Sequence, residues 1–343
     1  MNQRLRRLLT VASATLSAIA TVAGCSNDAT SDTPTAHASG PGRFASPNPG
    51  SVNTYWIQAP HGLVLVDTLR TPDDAQKAIA EIRKTGEPVV GILLTHSHPD
   101  HVGGASAFHD AFPKATVLAS RATDQAMRQD KRGFYPLARS ANPRFPARLT
   151  YADRTFADGS AVQVGGLRFE TIGFSEGESD RATVYYRPDT GDLFSGDLAT
   201  GKVTPALIEG NSCGWLQILT QLDRRFPKAR TMYPGHGAPG PARALIDEQR
   251  GYLRHFRGLV RPAVASASPG GPAVTPEEQK SITAAMDRTY PGYPPVADLP
   301  TIVQENIKAV ARELTAEATT RVPAPCADQT QAGTGGSASP TST

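Results

Sequence analysis

The sequence predicts an α/β protein, and three observations carry the prediction. Val89-Val90-Gly91-Ile92-Leu93-Leu94 is an apolar, β-branched run that reads as a buried strand. It leads into a polar loop, Thr95 to Gly104, and a helical stretch follows from Gly103 to Phe112. Other apolar runs also end in polar residues, at Val66-Asp67, Ser195-Gly196-Asp197 and Tyr233-Pro234-Gly235-His236. Loops at the C-terminal ends of strands are where such folds place their chemistry. With 343 residues, the chain has room for one large α/β domain and tails.

In chain order, Met1 to Cys25 reads as a targeting segment. Arg4, Arg6 and Arg7 form a positive start, and Leu8 to Val22 is modestly apolar. Val22-Ala23-Gly24-Cys25 looks like a bacterial lipobox, which would make Cys25 the lipidated N-terminus of an extracytoplasmic, membrane-anchored protein. The apolar run is short for a membrane span. Formal charge is +3, but removing the three leader arginines from 35 basic residues leaves 32 against 32 acidic ones. A neutral mature chain argues against a nucleic-acid partner held by a basic surface.

Residues 26–50 are rich in Ser, Thr, Pro, Asn, Asp, Ala and Gly and read as a disordered tether. The folded domain is expected over 51–262. Val52 to Gln58 and Gly62 to Val66 are strands around a turn that contains His61. Thr71-Pro72-Asp73-Asp74 opens a helix with a cap residue, a proline and two acids, and Gly86 ends it. Ala115 to Ala119 is a short strand and Ser120 to Gln129 a polar helix. Lys131 to Thr150 has no clear period. It carries Phe134, Tyr135, Leu137 and Phe145 among Arg132, Arg139, Arg144 and Arg148, a composition suited to overhanging a site. Ala161 to Val164 and Leu167 to Ile172 form a hairpin around Gly165-Gly166. A strand follows at Ala182 to Tyr186, then a helix from Gly214 to Phe226, a strand from Ala229 to Tyr233 and a long helix from Pro241 to Val260. His109 and His255 read as helix-surface histidines. Residues 263–326 are expected to form a short C-terminal helical extension, and 327–343 a disordered tail. Cys213 and Cys326 are the pair left once Cys25 is set aside, and an oxidising compartment would favour a disulfide over two free thiols.

The chemistry concentrates at Thr95-His96-Ser97-His98-Pro99-Asp100-His101. Imidazoles and a carboxylate at this spacing suit zinc and its neighbours. The run resembles the His-x-His-x-Asp-His motif of the metallo-β-lactamase-fold hydrolases, and the resemblance covers roughly residues 50–260. It implies a four-layer αβ/βα sandwich with its metal loops at one edge. It also implies that Asp67 braces the metal loop by hydrogen bonds, that Asp197 bridges two metals and that His236 is a final ligand. The family usually places a third histidine before a strand, and this chain has none there. Counting back from Ala182, Gly177-Glu178-Ser179-Asp180 matches that position, so Glu178 replaces the histidine, with Glu176 as its rival. Some relatives, such as alkyl sulfatases, resemble this in using a carboxylate.

The implied centre takes two divalent ions, zinc foremost, with iron or manganese also suited to a carboxylate-rich site. His96, His98 and Glu178 would hold one; Asp100, His101 and His236 the other. A hydroxide between them would attack an ester, thioester, lactone, sulfate ester or phosphoester of a small molecule, with Asp100 holding or relaying the proton. The exchange of histidine for glutamate makes a β-lactamase activity less expected. Iron-dependent sulfur or oxygen chemistry, or a lipid-anchored binding protein on the same fold, are the alternatives.

Overall fold

A computed structural model describes residues 40–47, 50, 52–268, 273–317 and 326. The leader, Cys25 and the 327–343 tail lie outside the described residues. Two six-stranded mixed sheets face each other. The first contains β1 (Gly42–Ala45), β2 (Asn53–Ala59), β3 (Gly62–Val66), β4 (Val89–Leu93), β5 (Thr116–Ser120) and β6 (Arg154–Phe156) in that spatial order. The second contains β7 (Val162–Val164), β8 (Leu167–Phe174), β9 (Ala182–Arg187), β10 (Asp192–Gly196), β11 (Thr231–Pro234) and β12 (Gly240–Pro241), ordered from β12 to β7. Their inner faces meet through Tyr55, Ile57, Val64, Leu93, Tyr185 and Phe194. Central strands buried on both faces are near-continuously apolar, which is why β3 and β4 read clearly as strands.

Helices cover both outer faces. α1 (Pro72–Arg83), α2 (Pro99–Val102), α3 (Ala105–Ala111), α4 (Arg121–Gln129) and α5 (Phe134–Ala141) fall between strands of the first sheet, and Ala75, Ile79, Ile82, Val102, Phe108, Met127 and Tyr135 are their buried residues. On the second sheet, α6 (Ser212–Arg225), α7 (Ala242–Ser266), α8 (Pro276–Thr289) and α9 (Ile302–Glu317) share one apolar cluster built on Leu219, Phe256, Met286 and Val310. This is the expected four-layer sandwich, with the C-terminal helices packed into its core. Cys213 and Cys326 are disulfide-bonded, with Cα atoms 5.3 Å apart across 113 residues.

Four of the differences from the sequence reading matter most. Strand β1 lies inside the stretch read as tether and pairs antiparallel with β2 from Gly42 to Ala45. It has too few apolar residues for a strand signal, and Gly42 sits so close to the Trp56 indole that a Cβ would meet it at 2.0 Å. The helix after the histidine loop starts early: Pro99 opens a one-turn α2 that carries Asp100 and His101. Lys131 to Thr150 contains α5, whose N-terminal residues Phe134 and Tyr135 are held by Asp130 accepting from their backbone N–H groups. Finally, α7 runs through Pro262 to Ser266, past the expected domain end at 262.

Candidate metal centre

Most residues of the predicted site come from a strand end or the turn beside it, and Asp100 and His101 come from the one-turn α2. His96 and His98 follow β4, Asp197 follows β10, His236 follows β11, and Glu178 lies between β8 and β9. Backbone contacts hold these ends together. Thr183 N–H donates to Thr95 O at 2.7 Å, and Asn53 N–H to Gly235 O at 2.7 Å. Asn53 Nδ2 also donates to the carbonyls of Pro234 and Gly237. Gly235 cannot carry a side chain, because a Cβ would lie 2.0 Å from Asp197 Oδ1.

Two groups of ligand atoms form around Asp197. His96, His98, Glu178 and Asp197 bring one atom each within 4.8 Å of one another, and so do Asp100, His101 and His236. His98 Nδ1 lies 3.1 Å from Glu178 Oε1, and His96 Nε2 lies 3.7 Å from Glu178 Oε2. Asp197 faces both groups: Oδ1 is 3.3 Å from His101 Nε2, and Oδ2 is 3.1 Å from His236 Nε2 and 4.0 Å from His96 Nε2. Asp100 Oδ2 is 3.1 Å from His236 Nε2. All seven side chains are buried. Glu178 is 3% exposed, whereas Glu176 is exposed and belongs to neither group.

The outer ring nitrogens fix the inner ones. His101 Nδ1–H donates to Asp67 Oδ2 at 2.8 Å. Thr95 Oγ1 gives its own proton to Asp67 Oδ2, at 2.7 Å, so its lone pair receives His96 Nδ1–H at 3.0 Å. His236 Nδ1–H donates to Gly50 O at 2.8 Å. Each of these rings therefore turns the Nε2 lone pair inward. Those three Nε2 atoms, and Asp197 Oδ1, make no hydrogen bond among the described residues. Lone pairs facing carboxylate oxygens require a cation between them, and the donor set of imidazole nitrogen and carboxylate oxygen suits a divalent metal.

The electrostatics agree. Burial works against charge on every group here. Even so, Asp197, Asp67 and Asp100 hold His101 well above its ordinary value, and Asp197 and Asp100 push His236 up to about 9. Glu178 and Glu209 raise His98 in the same way. Asp100 and Asp197 are held below the usual carboxylate range, mainly by His101 and His236. Burial raises Glu178, and burial together with the neighbouring imidazoles lowers His96. The carboxylates accumulate attraction for positive charge, and protons take that place when no metal does.

The sequence did not mark Glu209. Its side chain is 3% exposed, and Oε1 stands 3.0 Å from His98 Nε2. It sits in a loop without a motif, and only the three-dimensional fold brings it across 111 residues. Arg132, from the segment before α5, reaches both Glu209 at 3.0 Å and Asp180 at 2.8 Å. Phe134 packs edge-on against His98, and Tyr135 Oη donates to Ser97 O. The start of the 131–150 stretch, Arg132 to Tyr135, thus lies against the His98 side of the site. A cleft of about 470 Å³ opens beside His98, lined by Ser97, Gln125, Lys131, Phe134, Arg181 and Glu209 among others.

Comparison with known proteins agrees with this geometry. The model of the Metallo-beta-lactamase superfamily matches residues 47–258. A linear primary-alkylsulfatase of Pseudomonas sp. is 28% identical over 231 residues, covering 56% of this chain and 42% of the relative. A hydroxyacylglutathione hydrolase of Thermosynechococcus vestitus is 30% identical over 165 residues, covering 48% and 56%. The chain spans about half the length of these curated relatives. Among solved structures, a beta-lactamase domain protein from Burkholderia ambifaria matches with a TM-score of 0.58 at 19% identity, over 81% of this chain and 85% of that one. A metallo-beta-lactamase family protein from Thermus thermophilus matches with a TM-score of 0.56 at 21% identity, over 80% and 91%.

Proposed function

The chain belongs to the metallo-β-lactamase superfamily, and from that premise we propose that it is a metal-dependent hydrolase of small sulfate monoesters working outside the cytoplasm. The observation that carries this reading is Glu178, a buried carboxylate in the place where the family usually has a histidine. With two divalent ions, the carboxylates of Asp100, Asp197 and Glu178 leave about one net positive charge. That charge matches a monoanionic sulfate ester better than a phosphomonoester dianion. The similarity to a linear primary-alkylsulfatase supports the same class. The similarity to hydroxyacylglutathione hydrolases favours thioesters as a second class.

His96, His98 and Glu178 would hold one ion, Asp100, His101 and His236 the other, with Asp197 between them. Bound divalent ions supply Lewis acidity and bring the pKa of water towards ~7. The protein's own groups then orient and move protons. Asp67, Thr95 and Gly50 aim the imidazoles; Asp100, in contact with His236, would hold or relay the proton given up by the attacking water. Phe134 and Tyr135 cover the His98 side and limit solvent there. The leader and Cys25 support lipid anchoring as part of this proposal.

The test is sulfate release from a medium-chain alkyl sulfate by purified protein of measured metal content. A thioester, a lactone and a phosphomonoester are assayed beside it. Chelation should abolish turnover and metal addition restore it. Faster turnover of the phosphomonoester, or no turnover of any ester by fully loaded protein, would overturn the reading.

A further inference from the structure

The four imidazoles of the centre do not use the same nitrogen. His96, His101 and His236 turn Nε2 inward and anchor Nδ1 on Thr95, Asp67 and Gly50. His98 is reversed: Nδ1 lies 3.1 Å from Glu178, and Nε2 faces away towards Glu209 at 3.0 Å. A neutral imidazole carries one proton, so an inward Nδ1 lone pair requires the proton on Nε2 and an acceptor for it. Glu209 is the acceptor at that nitrogen. We propose that Glu209 is the positioning residue that selects the Nδ1-ligating tautomer of His98 and so completes the half-site of His96, His98 and Glu178.

The rest of the structure supports a carboxylate there. Arg132 lies 3.0 Å from Glu209 Oε2, so the negative charge is paired even though the side chain is buried. The loop that carries Glu209 is fixed from the C-terminal extension. Asn306 of α9 accepts from Leu207 N–H at 2.6 Å and donates to Pro205 O at 2.8 Å. Thr204 pairs with the 294–296 segment through Thr204 N–H to Pro294 O and Val296 N–H to Thr204 O. Glu209 is therefore presented to His98 by a braced loop. Arg132 also reaches Asp180, two residues after Glu178, which ties the same contact to the turn that supplies the carboxylate ligand.

The inference rests on the reading of this centre as a metal site, and the experiment separates the two. Wild-type protein is titrated with Zn2+ against a chromogenic chelator, and 15N-histidine spectra of the loaded protein are recorded. Three rings should ligate through Nε2 and one through Nδ1. Glu209→Ala should weaken one of the two ions by on the order of 10–100-fold, the usual cost of losing such a support, and broaden or shift the Nδ1-ligated signal. The other ion should keep its wild-type affinity. Glu209→Gln retains an oxygen acceptor and should lose less than Glu209→Ala; it also serves should the alanine variant not fold. Wild-type protein that binds no metal overturns both readings. Two-ion binding in wild type with unchanged affinity and an unchanged Nδ1 signal in both variants overturns the role of Glu209 alone. So does an equal loss at both ions.

Discussion

Asp67 and His101 are joined at 2.8 Å between Oδ2 and Nδ1, and the same carboxylate receives Thr95 N–H and Thr95 Oγ1–H. One buried side chain thereby aims two imidazoles at the centre, His101 directly and His96 through Thr95. Asp67 holds this place with a left-handed backbone, φ 59°. Asp67→Asn is expected to lower metal affinity by about 10–100-fold, because the amide cannot accept from three donors as the carboxylate does. Chelator competition measures it. Unchanged affinity would show that Asp67 does not support the ligands.

The substitution that departs from the family gives the next test. Glu178→Gln keeps the size and removes the charge, and the purified protein should hold less metal than wild type. Glu176→Gln should hold the wild-type amount, since Glu176 is exposed. Metal loss in Glu176→Gln with full occupancy in Glu178→Gln would reverse the assignment.

Metal binding should release protons. In protein stripped by a chelator, His236 is pushed up to about 9 by Asp197 and Asp100, and His101 and His98 are also raised. A raised ring must lose its proton to ligate, so apparent affinity should climb with pH, for His236 up to about 9. The stripped protein follows the opposite sign. The charged form of His236 contributes stability fully below its unfolded value near ~6.5, and that contribution is lost as pH rises through about 9. Calorimetric titration in buffers of different ionisation enthalpy counts the protons. A pH-independent affinity would contradict the assignment.

The Cys213–Cys326 bond closes a loop across 113 residues. By chain entropy it contributes at most about 4–5 kcal/mol. Cys213→Ser/Cys326→Ser should shift the urea midpoint down, and reductant should do the same to wild type but not to the double variant.

Anchoring is tested by Cys25→Ala. Lipid on that residue would hold the protein at a membrane, and the variant should move to the soluble fraction. Equal fractionation of both forms would exclude the lipobox reading.

Much of the fold and centre was legible because it is local. The run from His96 to His101 is one motif. Asp197 and His236 end apolar strands, and the spacing that singles out Glu178 is counted from Ala182, where β9 starts. What escaped depends on tertiary contact. Glu209 has no neighbours in sequence that mark it, and its role exists only where the loop meets His98. Gly50 acts through a carbonyl, which every residue has. β1 and β6 are short strands at the two edges of the first sheet, and their pairing rather than their composition makes them strands. Asp130, a polar residue binding backbone N–H groups, starts α5, so no hydrophobic period announced it.

The props contributed by the C-terminal segment have a consequence for biogenesis. Gly50 O, which orients His236, also accepts from Ala297 N–H at 2.8 Å, and Asn306 fixes the loop of Glu209. All the metal-facing side chains are synthesised by His236, well before those props exist. A nascent chain therefore carries the candidate ligands without the frame that aims them, and tight metal capture is expected only after the last helices dock. A premature stop before Pro294 would yield a chain with every ligand present and little hold on its ions.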